Sequence, residues 1–128
     1  MKLMVVGGNN INNASLVEFV LSKYTDEMPI SQVVTAGQYS YKGEAGTPPY
    51  YAHVWARLKG IPVKDTAEIT NRVKHGNYRD IIGKIRVLNN FTPDMVIGIH
   101  DGTCSSTLHL LNIAAKRGLI VREFVRAI

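Results

Sequence analysis

Short apolar runs alternate along the chain with segments whose apolar residues recur every three or four positions. The runs KLMVV, SQVVTAG, IPVKDT, TPDMVIGI and LIVREFV are typical of strands. The segments NASLVEFVLSKY, YYAHVWARLKG, YRDIIGKIRVLNNF and SSTLHLLNIAAKRG have helical spacing. A strand followed by a helix occurs four times before a final strand. This alternation predicts a parallel sheet with helices on both faces.

Several residues predict where these elements begin and end. Asn12 or Asn13 is expected to cap the first helix, and Pro48 can open the second, since proline is tolerated in a first turn. Gly60 is a typical residue for ending that second helix. Pro62 lacks a backbone N–H, so the third strand is expected near an edge of the sheet.

The 128 residues are enough for one domain, spanning 1–128. In a doubly wound sheet of strand order 3-2-1-4-5, ligands bind beyond the carboxyl ends of strands 1 and 4, where the order reverses. The loops expected there are GGNNINN after the first strand and HDGTCSST after the fourth.

The loop HDGTCSST has two readings. Gly102 allows close backbone approach, and Ser105, Ser106 and Thr107 would bring hydroxyls to a helix N-terminus that attracts anions. Equally, any helix favours a Ser or Thr cap, and Asp-Gly forms ordinary turns.

The other two polar loops are also ambiguous. The first, GGNNINN, lacks the full G-x-G-x-x-G spacing, and its Asn residues suit ribose hydroxyls, helix caps or left-handed turns. The segment GQYSYKGEAGTPPYY is long for a loop in a small domain. It contains four tyrosines, Tyr39, Tyr41, Tyr50 and Tyr51. These rings could stack on a base or build a contact between subunits.

Composition excludes several classes of function. The net charge of +5 is spread over the chain without a long basic run, so a small anionic ligand is favoured over nucleic acid. Cys104 is the single cysteine, which excludes an internal disulfide and fits a reducing cytoplasm. We expect no membrane span and, from the spacing of the His residues, no metal site.

The order of several motifs resembles a known group of proteins. VVGGNN is similar to a strand followed by Gly-Gly-Arg, and AHVWA to Ala-x-x-Trp-Ala. GKIRV agrees with Gly-x-x-Arg-Asn at Gly83 and Arg86, and DGTCSST agrees with Asp-Gly-x-Ser-x-Gly-Thr at Asp101, Gly102 and Thr107. The chain thus resembles the SLOG superfamily, the Rossmann-like domains related to the Lonely guy phosphoribohydrolases and to DprA. Within it, the small stand-alone YspA-like (YpsA-related) proteins of bacteria and phages are most similar.

This resemblance implies a single Rossmann-like, three-layer α/β domain that binds a nucleotide-derived ligand, such as ADP-ribose or cyclic ADP-ribose. It also implies a homo-oligomer and, for a phage protein in its host's cytoplasm, a sponge that sequesters a defence signal. The enzymatic branch carries a Glu after Pro-Gly-Gly-x-Gly-Thr-x-x, whereas SSTLHLLNIAA contains no acid. Binding without a cofactor is therefore favoured over hydrolysis, and a nucleotide phosphoribohydrolase of the Lonely guy type is the alternative.

By the same resemblance, glycines and the last helix start hold phosphates, Asn and Asp meet ribose hydroxyls, Arg86 neutralises charge and a Tyr stacks on the base. The candidate ligand-binding residues are Gly7, Gly8, Asn9, Asn10, Gly37, Tyr39, Tyr41, Arg86, Asp101, Gly102, Thr103, Ser105, Ser106 and Thr107.

Overall fold

A computed structural model describes residues 1–7, 11, 13–26, 28–35, 48–64 and 79–126, and of residues 49 and 79–84 it describes the backbone. The strands are β1 (Lys2–Gly7), β2 (Gln32–Thr35), β3 (Val63–Lys64), β4 (Met95–His100) and β5 (Ile120–Val125). The helices within these ranges are α1 (Ala14–Thr25), α2 (Pro48–Leu58), α3 (Arg79–Phe91) and α4 (Ser105–Lys116).

The five strands form one parallel sheet in the order β3-β2-β1-β4-β5, which confirms the predicted α/β class and strand order. Leu3 of β1 pairs with Val33 on one side and with Met95 on the other. All strands point the same way, so the sheet has one carboxyl edge and one amino edge. The order reverses between β1 and β4.

Alternating side chains of the central strands build two cores, one on each face of the sheet. Leu3 and Val5 pack with α1 and α2, whereas Met4 and Val6 pack with α3 and α4. The predicted three-layer arrangement is therefore confirmed. Full burial of each such side chain contributes about 1.5–3 kcal/mol to folding.

The helix ends follow most of the predicted capping signals. Asn13 is the cap of α1, and its Oδ1 accepts a hydrogen bond from the Leu16 N–H at 3.1 Å. Gly60 follows α2 with a φ of +72°, a conformation that favours glycine. The last helix ends at Lys116, two residues before the predicted end, because Gly118 at φ +78° turns the chain towards β5.

The third strand lies at the edge of the sheet, as Pro62 predicts. The carbonyl of Pro62 accepts a hydrogen bond from Val33 N–H at 2.9 Å, so the proline contributes the one backbone group it has. Of the helices in the described ranges, none is long and apolar enough to cross a membrane.

Candidate functional site

Strands β1 and β4 end side by side at the carboxyl edge, where the strand order reverses. Gly7 at the end of β1 pairs with Ile99 near the end of β4. The chain after β1 continues into α1 on one face of the sheet, and the chain after β4 continues into α4 on the opposite face. Helices that diverge in this way leave a crevice between the two strands, the usual ligand position in doubly wound sheets.

Gly7 stands at the end of β1 for a steric reason. A Cβ atom on Gly7 would lie 2.5 Å from the carbonyl oxygen of Ile99 and 2.5 Å from Cγ of Pro48. The missing side chain therefore lets the start of α2 pack against the end of β1. Packing alone accounts for glycine at this position.

The turn after β4 is built around Asp101. Its Oδ1 accepts hydrogen bonds from the Thr103 N–H at 2.9 Å and from the Thr103 hydroxyl at 2.6 Å. Gly102, between them, has a φ of +96°, a backbone conformation that L side chains rarely adopt. Asp-Gly-Thr thus forms a compact turn whose Asp101 carboxylate is committed to Thr103 at one oxygen.

His100 holds this turn to the last strand. The side chain is only 1% exposed, and its Nδ1 accepts a hydrogen bond from the Gly102 N–H at 3.0 Å. Its Nε2 lies 2.8 Å from Oε2 of Glu123, a side chain that is 39% exposed. An Nδ1 that accepts leaves the proton of a neutral imidazole on Nε2, where it is donated to Glu123.

Sequence reasoning missed this pair of residues, although a signal for it exists. Gly98 pairs with Glu123 in the sheet, and His100 follows Gly98 by two positions on the same strand. Strand side chains alternate between faces, so His100 and Glu123 share the α4 face. The predicted strand order places the fourth and fifth strands side by side. Together with the two-residue alternation of strand side chains, this order would have predicted that His100 and Glu123 lie close together.

The last helix begins at Ser105, as predicted, and the residue that caps it is not a Ser or Thr. Its cap is Cys104, whose side chain makes no capping hydrogen bond to a backbone N–H of the first turn. The Cys104 Sγ lies 3.1 Å from the Thr107 hydroxyl and 3.5 Å from that of Ser106. Ser106 and Thr107 are buried, whereas Ser105 and Thr103 are exposed. The exposed hydroxyl residues at this end of α4 are therefore Ser105 and Thr103, whose O–H is donated to Asp101.

The structure brings part of the predicted site together. The residues at the carboxyl edge are Gly7, Asp101, Gly102, Thr103, Ser105, Ser106 and Thr107. Arg86 is exposed in the middle of α3, about 10 Å along the helix axis from its first residue. The predicted site residues that lie outside the described part of the chain are Gly8, Asn9, Asn10, Gly37, Tyr39 and Tyr41.

Within the described ranges, no group of three or more His, Cys, Asp or Glu side chains is arranged to hold a metal ion. Comparison of the chain with models of protein families, with curated proteins and with solved structures finds no match.

Proposed function

We propose that this protein binds a phosphate-bearing, nucleotide-derived ligand of the ADP-ribose class in the crevice between β1 and β4 and holds it without converting it. The observation that carries the proposal is the coincidence of two features at one place. The strand order reverses between β1 and β4, and α4 begins there with a cap, Cys104, whose side chain makes no capping hydrogen bond to a backbone N–H of the first turn. Backbone N–H groups at such a helix start, with the positive end of the dipole, favour phosphate.

Exposed groups around the start of α4 suit an anion. Ser105 carries an exposed hydroxyl, whereas the Thr103 hydroxyl already donates to Asp101 and helps to hold the turn in which Gly102 has a φ of +96°. The proposal extends the phosphate role to Gly8, the ribose role to Asn9 and Asn10, and base stacking to Tyr39 or Tyr41. Those assignments rest on the sequence.

Capture is favoured over hydrolysis by the occupation of the carboxylates described at this edge. Asp101 uses Oδ1 to hold the backbone and hydroxyl of Thr103. Glu123 uses Oε2 to hold the buried His100. A carboxylate that activates water or stabilises an oxocarbenium-like state must reach the reacting carbon, whereas these oxygens maintain the turn.

The test is a thermal-shift panel of AMP, NAD, ADP-ribose, cyclic ADP-ribose isomers and cyclic dinucleotides. A ligand that binds only the folded state raises Tm by mass action, about 2.7 kcal/mol of stability at a hundred times Kd. Each positive compound is then recovered from the denatured protein and identified. We expect a shift with an ADP-ribose-type compound, recovered intact.

Ser105→Glu is the informative variant for the phosphate position. A carboxylate in the first turn suits the helix dipole and leaves α4 intact, yet it repels a phosphate bound there. Asn112→Glu is the matched control, because it adds the same charge at an exposed position later in α4. We expect Ser105→Glu to abolish the ligand-induced shift and Asn112→Glu to preserve it.

Each alternative predicts a different result. Release of free base would overturn capture and identify a phosphoribohydrolase of the Lonely guy type. Equal shifts for wild type and Ser105→Glu would place the phosphate elsewhere and refute the α4 site. The absence of any shift across the panel would exclude nucleotide binding and leave the interaction role, in which the Tyr-rich loop joins copies of the chain.

A further inference from the structure

A separate pocket of about 200 Å³ opens at the opposite, amino edge of the sheet, between the ends of α1 and α2. The helices run from the carboxyl edge to the amino edge, so this pocket is a helix length away from the crevice between β1 and β4. The side chains that decide its chemistry are Asp26, Met28, Ile30, Trp55, Lys59 and Ile61.

Trp55 forms the fixed aromatic wall of this amino-edge pocket. Its indole is only 4% exposed, and its Nε1–H donates a hydrogen bond to the Ser22 hydroxyl at 3.3 Å. Because the N–H is already satisfied by α1, an occupant of the pocket would meet the ring carbons. Half-buried Met28, Ile30 and Ile61 pack against the same core. These walls suit an apolar group.

Two opposite charges stand at the rim of the pocket. Asp26 and Lys59 are both exposed, and no ion pair joins the two in this part of the described structure. The Lys59 ammonium instead lies over the Trp55 ring, 5.6 Å from the centroid. Both charged groups are therefore available to an occupant that carries a positive and a negative group of its own.

The helix ends favour a cation at this pocket, because α1 and α2 both end at the amino edge. Asp26 is the C-cap residue of α1, and the last carbonyls of a helix carry a partial negative charge. An ammonium group is therefore favoured beside Asp26 by both the carboxylate and the helix end. The ammonium of Lys59, on the α2 side, favours a carboxylate there. The opposite charges at the rim therefore come from the side chains of Asp26 and Lys59, and both helix ends add to the attraction for an ammonium group.

We propose that the amino-edge pocket binds a free α-amino acid with an apolar side chain. The ligand ammonium would meet Asp26, its carboxylate would meet Lys59, and its side chain would pack on Trp55 and Ile61. A volume of about 200 Å³ lies below the roughly 300–1,000 Å³ of pockets for drug-sized ligands, which suits one amino acid better than a peptide or a nucleotide. This binding is independent of the function proposed for the carboxyl edge.

Trp55 allows a direct test, because it is the single tryptophan of the chain. The full-length protein is titrated with L-leucine and L-phenylalanine while tryptophan fluorescence is recorded, and saturation-transfer NMR on the ligand provides a second readout. Leucinamide lacks the carboxylate, and N-acetyl-leucine lacks the ammonium. We expect both analogues to bind about two- to fivefold more weakly than leucine, since each loses one partly exposed ion pair.

Two variants should respond to these analogues in opposite ways. Asp26→Asn should weaken leucine and leucinamide and leave N-acetyl-leucine unchanged. Lys59→Gln should weaken leucine and N-acetyl-leucine and leave leucinamide unchanged. Lys23→Gln is the control, since Lys23 is an exposed cation in the last turn of α1 that does not line the pocket. A merely unfolded variant would lose all ligands together, so the crossed pattern is specific.

The proposal is overturned by either of two results. One is no change in Trp55 fluorescence and no saturation transfer from leucine or phenylalanine up to their solubility limits. The other is equal binding of leucine, leucinamide and N-acetyl-leucine, which would indicate an unspecific apolar contact without recognition of the two charges.

Discussion

The imidazole of His100 and the carboxylate of Glu123 meet across neighbouring strands, with Nε2 and Oε2 2.8 Å apart. Through its other nitrogen, His100 also accepts the Gly102 N–H, so one buried ring connects the last strand to the turn that precedes α4. This arrangement requires a neutral imidazole with its proton on Nε2. A long-range ¹H–¹⁵N NMR spectrum should therefore show Nδ1 unprotonated and Nε2 protonated. An Nδ1–H tautomer would contradict the geometry.

Glu123→Ala should destabilise the protein by about 1 kcal/mol, because the His100 Nε2–H loses its acceptor. The loss is modest since Glu123 is 39% exposed and water can approach the vacated position. Glu123→Gln keeps an acceptor oxygen and should cost less than about 0.5 kcal/mol. Urea unfolding measures both changes. Equal losses for the two variants would mean that the negative charge, and not the hydrogen bond, is what matters.

Alanine at Gly7 should be more damaging than alanine at Gly98. At Gly7 the new Cβ meets the Ile99 carbonyl oxygen and Pro48 at 2.5 Å, and backbone cannot rotate away. At Gly98 the Cβ meets Cδ1 of Leu111 at 2.7 Å, the end of a side chain that can adopt another rotamer. We expect a loss of about 3 kcal/mol or more at Gly7 and about 1 kcal/mol at Gly98.

Gly118→Ala is the control that separates two causes of destabilisation, which are steric overlap of the new Cβ and strain in the backbone. Gly118 has a φ of +78° and no atom within 4 Å of a Cβ, so its loss of about 1 kcal/mol would come from backbone strain alone. Thermal or urea unfolding gives all three values. A Gly7→Ala protein as stable as wild type would show that α2 does not pack on β1 as described.

Asn13→Ala should destabilise the protein by about 1 kcal/mol, since the Leu16 N–H loses its acceptor at the start of α1. Asn13→Asp keeps the acceptor and adds a charge that the helix dipole favours, so its stability should equal or exceed that of wild type. Ser15→Ala, at the exposed second residue of the same helix, should change stability by less than about 0.5 kcal/mol. Indistinguishable stabilities of Asn13→Ala and wild type would refute the cap.

Cys104→Ser should stabilise the protein by about 0.5–1 kcal/mol. Cys104 has the extended conformation of a cap, with φ −82° and ψ 94°, but makes no side-chain cap hydrogen bond. A serine hydroxyl accepts such bonds from the first turn far better than a thiol does. Cys104→Ala is the control, because it removes the thiol without adding an acceptor. If the Ser and Ala variants unfold at the same urea concentration, the serine forms no cap.

Local patterns along the chain determined the elements of this fold. A strand needs only a run of apolar residues and a helix only apolar spacing of three or four, so both are readable within a dozen positions. Asn13 as a cap and Gly60 as a helix end are confirmed for the same reason: each acts on its immediate neighbours. Strict alternation of strand and helix then implied the parallel sheet, and Pro62 placed the third strand at an edge.

The tertiary structure decided what depends on residues far apart in the chain. The partner of His100 lies 23 positions later, on β5. Gly7 lacks a side chain because Pro48, 41 positions later in the chain, occupies the space where a Cβ would lie. The amino-edge pocket forms between the ends of two helices from different parts of the chain. Such relationships depend on which surfaces meet when helices pack on a sheet. Sequence periodicity states which face a residue occupies, whereas the contact across that face is decided only by packing.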